Sequence, residues 1–126
     1  MGLFWGNLFE HDGAIYILGI SQEYGSVVIR RSDTGGERWT HPMNGDTGLL
    51  FRGGPFRTNP NYHCAPVPIL KTGGRIYRAV EDCRDAVWGN GFLSCVISCP
   101  EDCDLLDARN WVMSNKLLCE REWIPK

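Results

Sequence analysis

No stretch of this 126-residue sequence is apolar for long enough to cross a bilayer, and the longest runs, such as 14–20, fall far short. Nor is there a basic excess. Thirteen Lys and Arg stand against 15 Asp and Glu, a formal net charge of -2, which supplies no field to hold nucleic acid or an anionic membrane. Met1-Gly2-Leu3-Phe4-Trp5 lacks the basic n-region and apolar stretch of a secretory signal, so nothing marks export and a cytoplasmic chain is the default expectation. Helical periodicity is missing too. No segment keeps an i, i+3, i+4, i+7 apolar pattern over three turns, and 15 Gly with 7 Pro punctuate the chain every few residues. Disorder is equally excluded, because 43% hydrophobic and 22% charged residues form a globular balance.

The six cysteines, Cys64, Cys83, Cys95, Cys99, Cys103 and Cys119, all fall in the second half. They lack the CxxC…CxxC pairing of a structural zinc site, and the chain has enough apolar residues to fold without disulfide staples. Small buried thiols are the expectation, with no metal and no cofactor.

What is there is a series of short strands at close spacing, as in an all-β sandwich, barrel or propeller. The first set reads as strand 4–10, a turn at His11-Asp12-Gly13, strand 14–20, loop 21–25, strand 26–31, turn 32–40 and strand 47–52. The second set repeats the order: strand 63–71, turn Thr72-Gly73-Gly74, strand 75–82, loop 83–90, strand 91–99, outer turn 100–111 and strand 116–120. Pro66 and Pro68 each remove a backbone donor and mark the strand 63–71 as poorly paired on one side. The two turns lie about sixty residues apart, and such internal repetition is the signature of a propeller or array.

Ser32-Asp33-Thr34-Gly35-Gly36-Glu37-Arg38-Trp39-Thr40 resembles the Asp-box of bacterial neuraminidases, S-x-D-x-G-x-T-W. In such a turn side-chain oxygens accept backbone hydrogen bonds, Gly adopts a left-handed conformation and Trp packs beneath. Counting back from Trp39, Ser32 and Gly36 fall on the pattern. Thr34 stands where Asp belongs, Arg38 stands where Thr belongs, and Asp33 comes one place early. A plain Ser-Asp-Thr-Gly-Gly turn followed by a Trp is the alternative reading. Further stretches are similar to bacterial exo-α-sialidase-like proteins with these repeats: Leu8-Phe9-Glu10-His11-Asp12-Gly13, Tyr62-His63-Cys64-Ala65-Pro66-Val67-Pro68, and Gly74-Arg75-Ile76-Tyr77-Arg78-Ala79-Val80-Glu81-Asp82. The resemblance runs from about Trp5 to Trp123 and matches only the first part of those longer proteins. It implies a single propeller segment of two four-stranded blades, about 3–53 and about 62–122, with a glycan-directed ancestry. Two blades do not close a ring, and three copies would supply the six blades of the family. A homo-oligomer, most simply a trimer, is therefore expected.

The resemblance places Asp-box turns away from the site, so the loops 21–25, 53–62 and 82–90 share the opposite face with the start of the strand at His63. Glu23, Tyr24, Glu81 and Asp82 are the candidate catalytic groups, since sialidases use a Tyr nucleophile polarised by a Glu together with an Asp acid. Arg57, Tyr62, His63, Arg84 and Trp88 are candidate sugar contacts, Arg for a carboxylate and aromatics for stacking. Ser32, Asp33, Gly36 and Trp39 are structural. Duller roles compete: an aromatic turn at Glu23-Tyr24-Gly25, capping of loop amides by Glu81-Asp82, an interior hydrogen-bonded His63, and edge packing by Trp88 and Trp111. No complete Arg cluster can be assembled. Glycan binding without turnover is the favoured function, and an active exo-sialidase-type glycoside hydrolase is the alternative.

Overall fold

The computed structural model describes residues 1–85, 88, 91–123 and 125, and of Arg121 the backbone alone. Ile, Leu and Tyr dominate 14–20 and Val and Ile fill 27–29, a β-branched and aromatic composition that suits strands, and these segments become the centre of the first sheet. Strands β1 (Phe4–His11), β2 (Ala14–Ile20), β3 (Val27–Ser32) and β4 (Leu49–Phe51) pair antiparallel in chain order. The second sheet comprises β5 (Tyr62–His63), β6 (Leu70–Thr72), β7 (Arg75–Asp82), β8 (Leu93–Pro100), β9 (Val112–Met113) and β10 (Leu117–Leu118). Two single-turn 3-10 helices, Ala108–Asn110 and Arg121–Trp123, complete the elements, and no α-helix occurs among the described residues. The fold is all-β, built on two antiparallel sheets.

The six strands of the second sheet run along four lanes. Both β5 and β6 pair with one edge of β7, while β9 and β10 both pair with the far edge of β8. The strand expected over 63–71 is thus split. Residues 64–69 leave the ladder between β5 and β6, because Pro66 and Pro68 have no N–H to give β7. The expected last strand shortens to β10, which meets Leu93 and Ser94. Both leading hairpins turn on residues with positive φ, Asp12-Gly13 (49° and 76°) and Gly73-Gly74 (57° and 74°). That geometry matches the right-handed twist of the strands they join.

The core lies between the sheets. Tyr16, Leu18, Ile20, Val27 and Ile29 of the first sheet pack with Ile76, Val80, Cys95, Ile97 and Cys99 of the second, closed at one side by Leu105 and Trp111. Period-2 alternation puts Cys95 and Cys99 inward, and burial pushes their thiols up to about 11 and about 12. All six cysteines are free. Four are buried, Cys103 is half-buried and Cys119 is exposed.

Polar contacts also bridge the sheets. The buried Arg78 guanidinium donates to Asn7 Oδ1 (2.6 Å), the Trp5 carbonyl (2.9 Å) and the Ala65 carbonyl (3.3 Å), and lies 3.0 Å from Cys64 Sγ. Lys71 donates to the Glu10 carbonyl with its ammonium 5.6 Å from the Phe9 ring centre. Gly25 and Tyr62 exchange both backbone bonds, at 2.9 and 3.0 Å, so β5 is laddered to the first sheet as well as to β7.

The turn after β3 holds itself together through side-chain oxygens. Ser32 Oγ accepts from the Gly36 amide (2.9 Å) and the Thr34 amide (3.3 Å), Thr34 Oγ1 accepts from the Arg38 amide (2.9 Å), and the Trp39 indole donates to the Gly36 carbonyl (2.8 Å). Gly36 has φ +97°, where a side chain would be strained. Asp33 does not cap the turn. Its carboxylate faces outward to Arg31 (2.7 Å), so the hydroxyl of Thr34 does the work assigned by pattern to a carboxylate. The longer turn after β8 ends alike: Asp104 Oδ1 caps the Leu106 amide, and the indole of the buried Trp111 donates to the Leu105 carbonyl. Trp111 therefore packs, as the duller reading had it.

Each sheet also has an outer face that retains apolar side chains. On the second sheet Leu70 (57% exposed), Val96 (40%), Val112 (55%) and Leu117 (50%) stand on the side opposite the core, around a hollow of about 130 Å³ lined by Ala65, Val67, Ala79 and Glu81. On the first sheet Leu8 is 64% exposed beside Ile17.

Candidate functional site

Three connections converge where the two sheets are laddered together. The Gly25–Tyr62 bridge fixes loop 21–25 against the end of loop 53–62, and β5 pairs Tyr62 with Asp82 and His63 with Glu81 at the exit of β7. His63 is nearly buried at the centre of this meeting point. Its Nδ1 lies 3.0 Å from Glu81 Oε2, and aromatic rings surround its imidazole: Trp88 at 5.7 Å, Phe92 at 5.8 Å, Tyr24 at 5.9 Å and Phe4 at 6.3 Å. Trp88 also meets Phe92 edge-on at 5.3 Å, yet it is 68% exposed and leaves a ring face open to solvent. Tyr24 packs on Phe56 (5.2 Å). Gln22, Glu23, Tyr24 and Phe56 line a shallow depression of about 350 Å³.

Asp82 occupies a different environment from the one a proton donor needs. It is 1% exposed, and its carboxylate accepts from the Asn61 amide (3.2 Å), the Arg84 amide (3.0 Å) and Lys116 Nζ (2.7 Å). Burial pushes its pKa up, but Lys116 and the two amides outweigh burial and hold the carboxyl below the usual carboxylate range. Its role is to cap loop amides and anchor Lys116. Tyr62 is buried with it, against Phe51 (6.4 Å) and under Lys116 Nζ (5.7 Å), and forms a wall rather than a surface. The Arg84 guanidinium is committed to the Gly91 carbonyl through Nε (2.9 Å) and an Nη (2.7 Å), which holds the stem of the loop. Arg57 stays exposed, stacked 5.4 Å over Phe56. The phenol of Tyr24 has a raised pKa, first through desolvation and then through the neighbouring Glu23 carboxylate, so it stays protonated at neutral pH.

The expected residues therefore divide. Tyr24, His63, Glu81 and Trp88 come together, with Glu23 on the adjoining depression and Arg57 stacked on Phe56 at its edge. Asp82, Tyr62 and Arg84 support them from below. Ala86, Val87, Gly89 and Asn90, within the expected loop 82–90, lie outside the described residues. Phe4, Phe56 and Phe92 stand outside the expected set, although Phe56 sits inside loop 53–62 and Phe92 lies two residues past loop 83–90. Their position beside functional loops was the available signal. Lys116 gave none, since only the pairing of β10 with β8 brings it to Asp82 across 34 residues. Among the described residues no cluster of His, Cys, Asp and Glu is arranged to hold a metal. Compared with known proteins, the chain matches no family model, no curated protein and no solved structure.

Proposed function

We propose that this chain is a two-blade segment of a sialidase-like β-propeller that binds glycan at its loop rim without turning it over. The observation that carries the binding reading is the ring cluster around His63, assembled from loops of both sheets with the Trp88 face open beside it. Exposed aromatic faces stack on the C–H face of a sugar ring, and neighbouring carboxylates accept its hydroxyl protons. Turnover of the sialidase type needs a Tyr activated by a hydrogen-bonded carboxylate. Among the described residues no carboxylate accepts from the Tyr24 hydroxyl, whose pKa is raised by desolvation first and by Glu23 second.

The blade reading draws on the two chain-ordered meanders, on the self-capped turn ending in Trp39 and on the apolar outer faces. Blades stack face to face, so these outer faces would be covered by further blades. A homo-oligomeric ring, with a trimer as the simplest closure, supplies them through heterologous contacts.

A glycan-array screen followed by titration tests the binding reading. The expected result is binding in the micromolar to millimolar range that Trp88→Ala weakens at least about tenfold, the scale of one lost aromatic stacking contact of about 1.4 kcal/mol. Hydrolysis of a fluorogenic sialoside, abolished by Tyr24→Phe, would instead establish an enzyme.

A further inference from the structure

We infer that the rim selects neutral sugars over acidic ones, an inference that rests on the glycan-binding reading above. Recognition of a sugar carboxylate calls for converging guanidinium or ammonium groups with free N–H donors. Three of the cations near this region are already engaged. Arg84 gives both its Nε and an Nη to the Gly91 carbonyl, Lys116 is spent on Asp82, and Arg78 is buried between the sheets. Arg57 and Arg52, the latter at the entry to loop 53–62, are exposed and have no ion-pair partner among the described residues, but no hydrogen bond fixes either guanidinium, and solvated guanidiniums held this loosely are weak anchors.

The fixed charge at the rim has the opposite sign. Glu23 lines the depression with Tyr24 and Phe56, whereas Glu81, one-third exposed, is held by His63 behind the aromatic cluster. The Glu23 carboxylate accepts hydrogen bonds from the hydroxyls of a neutral ring and repels a carboxylate brought into the depression, so selection acts by repulsion as well as by attraction. The open face of Trp88 (68% exposed) supplies stacking that does not depend on ligand charge, and the exposed part of Phe56, one face of which carries the Arg57 guanidinium, adds apolar contact.

The test is titration at neutral pH and low salt with matched pairs. Oligosaccharides ending in glucose, galactose, mannose or N-acetylglucosamine are each set against the same chain capped by sialic or glucuronic acid. The expected result is at least about tenfold tighter binding of the neutral member of whichever pair binds, narrowed several-fold by Glu23→Gln, an exposed substitution that does not threaten the fold. Equal or tighter binding of the acidic member, lost in Arg57→Ala, would overturn this selectivity and leave glycan binding intact. Failure of every member to bind would overturn glycan binding itself and the selectivity with it.

Discussion

Asp82→Ala is expected to lose about 3–5 kcal/mol of folding stability, the cost of removing one partner from a buried ionic network. The carboxylate satisfies two loop amides and the Lys116 ammonium at once, and alanine leaves the two amides without an acceptor and the part-exposed ammonium without its partner. Asp82→Asn keeps one carbonyl oxygen for the amides but turns an amide N–H₂ or a neutral oxygen toward Lys116, so a smaller loss follows. The pH dependence carries the same signature. Because the folded-state pKa is depressed, the stabilisation is fully present above the unfolded value near ~3.9 and is lost as pH falls through the lower folded value. The acid limb of wild-type unfolding should therefore lie below about pH 4 and flatten in Asp82→Asn. Urea titration from pH 2 to 7 checks both. If Asp82 were instead a solvent-facing proton donor, Asp82→Asn would fold like the wild type and change only turnover.

Arg78→Ala is the second large loss expected, on the order of 3 kcal/mol or more, because each stranded buried acceptor costs about 1–3 kcal/mol and a cavity adds to that. The guanidinium holds Asn7 and the Trp5 carbonyl on the first sheet to Cys64 and Ala65 on the second. Arg78→Lys cannot reproduce the planar fork and should recover less than half of the loss. Thermal denaturation followed in parallel by near-UV and far-UV signals should show both sheets melting together, at a lower temperature. Sheets that melt separately in the wild type would show that the two do not share one core.

Local chemistry made much of this fold legible. Strand periodicity, the two glycine hairpins and the Gly–Pro punctuation gave the first sheet with its strand order and bounds to within a few residues. The second sheet was harder to read, because prolines split its first lane and its last lane is made of two-residue strands whose pairing depends on register alone. At the site, loop membership located Tyr24, His63, Glu81 and Trp88, since each flanks a strand end that faces the same way. Residue type alone did not separate a reactive from a supporting role for Asp82, Tyr62 and Arg84, although amide capping by Glu81-Asp82 was already the competing expectation. An acid, a phenol and a guanidinium are reactive in water and structural when buried, and burial is set by contacts across long sequence separations. Asp33 shows the same limit on a smaller scale: a one-place offset swung its carboxylate out of the turn, and the Thr34 hydroxyl took its place.

How these sheets are neighboured in solution bears on everything proposed for them. Static light scattering of the purified chain, across a tenfold range of concentration, reads that directly. Covered outer faces require a mass that is a multiple of 14.2 kDa, threefold for the simplest ring. A monodisperse 14 kDa particle at every concentration would mean that Leu70, Val96, Val112 and Leu117 face water by design, and the two meanders would then be a self-sufficient sandwich rather than blades.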